Sequence, residues 1–466
     1  MKFTNRQQEL SRLRGLAQAS KSALGVIWGR RRVGKTRLLI EWVEENQGLY
    51  YVADESAAPI QRKFMALALE AALPGFSDVE YPDWQSLLTR LGKDALARNW
   101  RGPLVIDEVP YLFAKTPELS SIFQKFIDHD AKKCGLIIVL SGSSQRMMQG
   151  TILDPSAPLY GRADEIIKLK PLLAGYTKDL SLNTAKEMLE FYAVFGGIPK
   201  YWELAENIPG TLGHKTEQLV LDPMGPLHEE PERLLKAESP SAIHLKPILD
   251  AIGLGAHRLS EVASRLGVPA TNLSKATEQL IQLDLIEREV PYGSTVKNSK
   301  RTLYKIKDPF LRFWFQVVAP RRSLLSHVSA KSRIECFEEH LPRLAALLWE
   351  ELCREAIPRL SSSWGKLYEP AGRFWHGKGP EWDILSQSHD QKHFLIGEAK
   401  WSSKAATPSW VQQQLEELMT KGIPPVQRQE KALIEYALFC PEFPQNFKAP
   451  QNVRLISVQE VLKALV

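Results

Sequence analysis

Through about residue 171 the chain alternates short apolar, β-branched runs with segments whose apolar residues recur at helical spacing. That is the pattern of a parallel sheet covered by helices. Residues 24–28, 49–53, 103–106, 136–141 and 165–169 read as five strands, and 36–45 and 119–131 as helices between them. From 177 to about 235 the pattern turns mainly helical, broken by Gly196, Gly197, Ile198 and Pro199. Beyond it, 242–253, 259–266 and 269–283 read as three helices and 286–305 as a hairpin, the order of a winged helix-turn-helix. Gly267 supplies the turn, Pro269 opens the third helix, and Leu273, Ala276, Leu280 and Leu283 form its apolar stripe. An aromatic connector over 309–320 leads to helices around 334–359, a β-rich stretch over 366–400 and a final αβ region.

The fold class these patterns predict is α/β. A parallel sheet covered by helices (1–175) is followed by a helical lid (176–236), a winged helix-turn-helix (237–308), a linker (309–340) and a C-terminal α/β domain (341–466). The length of 466 residues requires several domains. At 44% hydrophobic and 24% charged residues the composition is that of an ordinary globular protein. Four scattered cysteines form no C-x-x-C pair, which excludes a zinc framework or disulfide scaffold. With no apolar signal core at the N-terminus and no long apolar run, the expected location is cytoplasmic, with no membrane partner.

Gly29, Arg30, Arg31, Arg32, Val33, Gly34, Lys35 and Thr36 match G-x-x-x-x-G-K-T between a strand and a helix, with Arg37 following. In such a loop the glycines let backbone N–H groups curl around phosphates, and the helix N-terminus adds favourable partial charge. Lys35 reaches the β- and γ-phosphates, and Thr36 ligates Mg²⁺. A second apolar run, 104–106, ends in Asp107 and Glu108. Asp107 would hold Mg²⁺ or its water and Glu108 would orient or deprotonate the attacking water, since phosphoryl transfer is mostly positioning and charge stabilisation. The expected cofactors are ATP and Mg²⁺. Arg30, Arg31 and Arg32 either contact phosphate or form a solvated face.

Taken with the N-terminal box from Phe3 through Arg6 to Leu10, with Ser141 to Ser144, with Leu159 to Arg162 and with Gly196 to Pro199, these motifs resemble those of archaeal-type ATPases of the STAND branch within the AAA+ group. Such proteins carry a P-loop domain, a winged helix and a C-terminal PD-(D/E)XK nuclease-like (DUF234-type) domain, so the resemblance implies that 1–175 is a P-loop NTPase sheet and 341–466 an α/β restriction-endonuclease-like domain. The resemblance implies that the box containing Arg6 lies near the adenine and that Ser143 senses the γ-phosphate. It also implies that Arg162 serves as an arginine finger and that Pro199 packs against the base from the lid. A finger acting between subunits would need a homo-oligomer, and a salt-bridged structural role for Arg162 stays open.

In the C-terminal segment Asp383 is followed fifteen residues later by Glu398 and then Lys400. This resembles the D…E-x-K core of the PD-(D/E)XK nuclease fold, in which two carboxylates hold a divalent metal and the lysine positions water. Glu350 is the candidate additional metal-binding acid on a helix. The departure from the pattern is Trp382, where the family has proline. An inactive remnant of the fold is the alternative. Net charge is only +6, but from Lys297 to Arg333 ten basic residues face the single acid Asp308, so a polyanion such as DNA is the expected partner. Thr271, Asn272, Ser274 and Lys275, near the start of the third winged-helix helix, are the candidate base-reading residues.

Overall fold

The computed structural model describes residues 5–466 except 149, 151, 153, 239, 296–298, 300, 378, 403–404 and 430. Phe3 and Thr4 of the N-terminal box and Lys297 and Lys300 of the basic stretch therefore lie outside the described residues. The chain divides into two compact units, Lys2–Pro171 with Ile198–Lys200, and Leu172–Gly197 with Tyr201–Val466.

The first unit is built on five parallel strands: β1 (Ala23–Trp28), β2 (Leu49–Val52), β3 (Leu104–Asp107), β4 (Ile137–Gly142) and β5 (Glu165–Lys168). Their order in the sheet is β2-β3-β4-β1-β5. Both faces are buried, which is why the strands read as continuous apolar runs. Along β1, Leu24, Val26 and Trp28 join the core on one face, and Ala23 and Ile27 join the core on the other. The β4 strand divides the same way, with Ile138 and Leu140 on the first face and Ile137 and Val139 on the second. This is the two-residue side-chain period of a strand packed by helices on both sides. Helix Gln7–Ala17 covers the second face with Leu10, Leu13 and Leu16.

In the second unit, helices Lys246–Gly253, Leu259–Leu266 and Ala270–Gln282 precede the antiparallel pair β6 (Ile286–Glu289) and β7 (Leu303–Ile306), the expected winged-helix order. Gly267 ends the second helix in the left-handed conformation, where glycine lacks the Cβ penalty. Thr271, Asn272, Ser274 and Lys275 are exposed while Leu273, Thr277 and Leu280 face inward. The connector runs Pro309–Phe313, Trp314–Val318 and Ala319–Arg321, and a 34-residue helix, Ala330–Ser363, follows. The C-terminal sheet contains β8 (Gly372–Phe374), β9 (Trp382–Gln387), β10 (His393–Ala399), β11 (Leu433–Cys440) and β12 (Val453–Ser457). Its order is β12-β11-β10-β9-β8, parallel across β10-β11-β12 and antiparallel across β8-β9-β10. The α/β class with a five-stranded P-loop sheet and a mixed C-terminal sheet therefore holds as expected. Among the described residues no helix is long and apolar enough to cross a membrane.

Candidate functional site: the phosphate loop and a carboxylate–lysine cluster

The chain leaves the C-terminal end of β1 through Gly29, whose added Cβ would stand 2.4 Å from the carbonyl oxygen of Leu169. The loop and the chain beyond β5 thus approach too closely for any side chain there. Gly34 is required for a different reason. Its nearest neighbour would be Pro199 Cγ at 3.8 Å, leaving space, but its φ of +99° is a left-handed conformation at the N-cap of helix Lys35–Glu45. Val33 anchors the loop in the core. Arg6 braces the same turn from the first helix, donating to the Val33 carbonyl at 2.9 Å. Lys35 is 5% exposed, and its Nζ donates to the Gly29 carbonyl at 2.8 Å, so the ammonium is held inside the loop it serves.

Asp107, 2% exposed at the end of β3, gathers three donors. Thr36 Oγ1 donates to Oδ2 at 3.1 Å, the Tyr50 hydroxyl of β2 donates to the same oxygen, and the Glu108 backbone N–H donates to Oδ1 at 2.9 Å. Burial and the adjacent Asp107 carboxylate push the Tyr50 hydroxyl to a higher pKa than usual. It therefore remains a donor at neutral pH. A hydroxyl and a carboxylate oxygen in direct contact form a hard oxygen donor set that suits Mg²⁺.

Glu108 adopts φ +52°, unusual for a residue with a Cβ. Its carboxylate accepts from Ser143 Oγ at 2.9 Å and from the Ser143 N–H at 3.2 Å. Ser143 follows β4, and β4 lies between β1 and β3. The acid pair is thus one strand removed from the phosphate loop, and the residue after the intervening strand clamps the glutamate.

In the second unit, Asp383 on β9 and Glu398 on β10 stand one step beyond the last paired residues, Ile384 and Gly397. Asp383 Oδ2 accepts from the Ala399 N–H at 3.0 Å. Glu398, 5% exposed, accepts from Lys400 Nζ at 2.8 Å on one oxygen and from Lys421 Nζ at 2.7 Å on the other. Burial, then the neighbouring Glu398, raises the Asp383 pKa. Burial and the charge of Asp383 push Glu350, on the long helix, up to about 7. Burial works against the charge of Lys400, but its hydrogen bond and attraction to Glu398 prevail and raise its pKa. Arg354 ties the cluster to the long helix by donating to the Asp383 carbonyl at 2.9 Å. Among the described residues no group of three or more Asp, Glu, His or Cys side chains is arranged to hold a metal ion. With both Glu398 oxygens given to lysines, the cluster as arranged does not fit a divalent cation.

Residues 3–205 match a family described as an ATPase domain predominantly from Archaea. The uncharacterized protein MJECL04 of Methanocaldococcus jannaschii is 31% identical over 405 residues, which cover 86% of this chain and 87% of that protein. The chain belongs to this archaeal-type ATPase family. Residues 314–416 of the ATPase also match a family described as archaeal and bacterial proteins of unknown function. Among solved structures, the Walker-type ATPase PABY2304 of Pyrococcus abyssi shares the fold at 20% identity and a TM-score of 0.53, over 67% of this chain and 96% of that one. The Aeropyrum pernix ORC2 protein matches more loosely, with 13% identity and a TM-score of 0.43 over 72% and 94% of the two chains.

The structure brings Arg6, Gly29, Val33, Gly34, Lys35, Thr36, Asp107, Glu108, Ser143 and Pro199 of the ATPase to one end of its sheet. Arg31 and Arg32 are exposed, Arg31 bonding the Tyr111 hydroxyl at 3.0 Å, Arg30 is half-buried and Arg37 is exposed. Arg162 is not part of that assembly. It lines a cavity of about 440 Å³ with Ser22, Ala23 and Leu24, at the opposite end of β1. Six residues of strand, roughly 16 Å, separate those positions from the phosphate loop. There the Arg162 guanidinium pairs with Asp128 at 3.0–3.1 Å, which holds the Asp128 carboxyl below its usual pKa. It therefore does not reach the chain's own phosphate loop.

Sequence reasoning missed Tyr50, Arg354 and Lys421. Tyr50 reads as an ordinary strand aromatic in the run Leu49, Tyr50, Tyr51, Val52. Lys421 lies 23 residues from its partner Glu398 with no motif to flag it.

Proposed function

We propose that the protein binds and hydrolyses ATP with Mg²⁺ at the phosphate loop, and that its nucleotide state controls a C-terminal unit that engages DNA. The observation that carries the ATPase reading is the convergence of Lys35, Thr36, Asp107, Glu108 and Ser143. The loop N–H groups and Lys35 bind the phosphates, Thr36 and Asp107 would hold the magnesium ion, and Glu108 orients the attacking water and takes its proton. Bound Mg²⁺ supplies charge neutralisation on the phosphate oxygens. Ser143 keeps Glu108 aimed, and Tyr50 keeps Asp107 in place. Pro199, against Gly34, supports contact with the nucleotide from the lid segment.

Lys35→Ala is expected to abolish ATP binding, and Glu108→Gln to retain bound ATP while turnover stops. Undiminished phosphate release by both variants would refute the assignment. A finger role for Arg162 becomes an inter-subunit one, requiring a homo-oligomer; gel filtration with a non-hydrolysable ATP analogue tests for it.

A second reading concerns the C-terminal domain. The convergence of Asp383, Glu398 and Lys400 supports a nuclease-like site, with Glu350 as a further acid, whereas the lysine pairing of Glu398 supports a nucleotide-switched regulator whose nuclease-like domain is inactive. Incubation of linear and plasmid DNA with the full chain, ATP and Mg²⁺ or Mn²⁺ separates them. Cleavage lost in Asp383→Ala and Lys400→Ala identifies a nuclease, and intact DNA identifies the regulator.

A further inference from the structure

The basic stretch that suggested a polyanion partner is largely neutralised by acids far away in sequence. Lys305 lies 3.0 Å from Glu351 and 3.1 Å from Glu287, Lys307 is 3.0 Å from Asp284, and Arg312 is 2.7 Å from Glu351. Arg322 pairs with Glu232 at 2.6 Å and Arg333 with Glu217 at 2.7 Å. Arg301, which donates to the Trp375 carbonyl at 3.3 Å, breaks this pattern, and so do Arg321 and, on the long helix, Arg343. Among the described residues neither Arg321 nor Arg343 has a carboxylate partner, and these two line one cavity of about 290 Å³ bounded by β7, the connector and the long helix.

Arg321 is oriented by uncharged groups. One amino group donates to the carbonyls of Gln316 and Val317 at 3.2 and 3.4 Å, and the other lies 2.8 Å from His340 Nε2. His340 Nδ1 lies 2.7 Å from the Cys336 carbonyl oxygen, which can only accept. Nδ1 therefore carries the proton and the Nε2 lone pair receives the guanidinium, so the ring is neutral. A guanidinium fixed by neutral acceptors keeps its whole positive charge. The cavity lining holds six Lys and Arg side chains against the three acids Glu289, Glu350 and Glu351. Glu351 is spent on Arg312 and Lys305, and Glu289 faces Lys305, Arg354 and Arg373. The surplus positive charge therefore resides at Arg321 and Arg343, and arginine's planar fork matches a phosphate.

We propose that this cavity is a phosphate-binding site for the nucleic-acid backbone, with Arg321 and Arg343 contacting the phosphodiester and His340 positioning Arg321. The inference rests on the reading that the C-terminal unit engages DNA, and is independent of the ATP site.

Fluorescein-labelled single-stranded and duplex oligonucleotides, titrated by anisotropy with the full chain across a salt series, provide the test. For Arg321→Ala combined with Arg343→Ala, affinity for the DNA form that binds is expected to fall at least about tenfold. The slope of log affinity against log salt should shallow by roughly 1.4 for single strands or 1.8 for duplex, the value for two lost phosphate contacts. Arg343→Glu alone, at an exposed position, should weaken binding without altering the melting temperature. His340→Gln, whose amide oxygen can replace Nε2, should retain binding that His340→Leu loses. With the phosphate loop disabled by Lys35→Ala, pyrophosphate that binds the chain but not the chain also carrying the double substitution, without DNA binding, would overturn the nucleic-acid assignment in favour of a small phosphorylated ligand. If the wild type binds DNA and the folded double variant binds it equally with the same slope, the site is wrong while the DNA reading stands. If the wild type does not bind DNA and the Lys35→Ala chain does not bind pyrophosphate, both fail.

Discussion

Removing the Ser143 hydroxyl tests whether Glu108 is held ready for catalysis by the residue that follows β4. The wild-type carboxylate accepts two hydrogen bonds from Ser143, at 2.9 Å from Oγ and 3.2 Å from the backbone N–H, while its own backbone sits at φ +52°. Ser143→Ala deletes the shorter bond and leaves the longer. A hydrogen bond to an ionised group contributes about 1.5–3 kcal/mol. Because the backbone N–H persists, the lower half of that range applies, and every 1.4 kcal/mol is about tenfold in rate. The expected result is a fall in kcat of about 10- to 30-fold, with ATP affinity nearly unchanged because Ser143 is bonded to the glutamate rather than to the phosphate loop. Steady-state phosphate release for Ser143→Ala, Glu108→Gln and the double variant completes a cycle. If Ser143 acts through Glu108, the double variant loses little more than Glu108→Gln alone, a coupling of about 1.5–2 kcal/mol. Losses that add within about 0.5 kcal/mol would refute the clamp.

Tyr50→Phe removes a donor from Asp107 and should raise the Mg²⁺ concentration needed for half-maximal turnover several-fold; an unchanged Mg²⁺ titration would exclude the positioning role. Gly29→Ala places a Cβ 2.4 Å from a backbone carbonyl oxygen and should cost about 1–3 kcal/mol of stability as well as ATP binding. Gly34→Ala meets no obstacle and should cost only the roughly 1–2 kcal/mol of a left-handed non-glycine residue; equal melting temperatures for the two variants would contradict this distinction. Glu351 is held down to about 2, from an ordinary 4.5, because Arg312 and Lys305 outweigh the effect of its burial. Its folded-state pKa is lowered, so its contribution, about 3 kcal/mol, is present above pH 4.5 and is lost as pH falls toward 2. Glu351→Gln should therefore lower the urea midpoint of the wild type strongly at pH 7 and progressively less below pH 4.5, and a pH-independent difference would rule this out.

The sequence by itself determined the phosphate-loop motif and the order of the elements. A phosphate loop is encoded in consecutive residues, because one turn must supply glycine conformations, N–H groups, an ammonium and a hydroxyl together. The apolar run before Asp107 and Glu108 was equally local, and so were the five strands, since a sheet buried on both faces needs uninterrupted apolar segments. The three helices and the antiparallel pair over 246–306 followed from helical spacing and from Gly267. The C-terminal Asp383, Glu398 and Lys400 were legible because strand neighbours and hairpin partners lie close in sequence.

What lay beyond local pattern was decided by tertiary structure. The position of β4 between β1 and β3, which gives Ser143 its hold on Glu108, is a matter of sheet order, and no residue of the strands records it. Tyr50, Arg354 and Lys421 join their sites from elements whose local sequence needs only an aromatic, an arginine or a lysine. The resemblance cast Arg162 as an arginine finger, with a salt-bridged role left open; the strand direction carries it to the other end of β1 and into a pair with Asp128. The basic stretch shows the division most clearly. One acid among ten bases predicted an exposed cationic face, whereas folding supplies carboxylates from Glu217, Glu232, Asp284 and Glu351 and leaves Arg301 and Arg321, among the described residues, without one. Charge along a chain is a property of sequence; charge at a surface depends on which distant residues the fold brings within a few ångströms, where Coulomb attraction is strong enough to pair them.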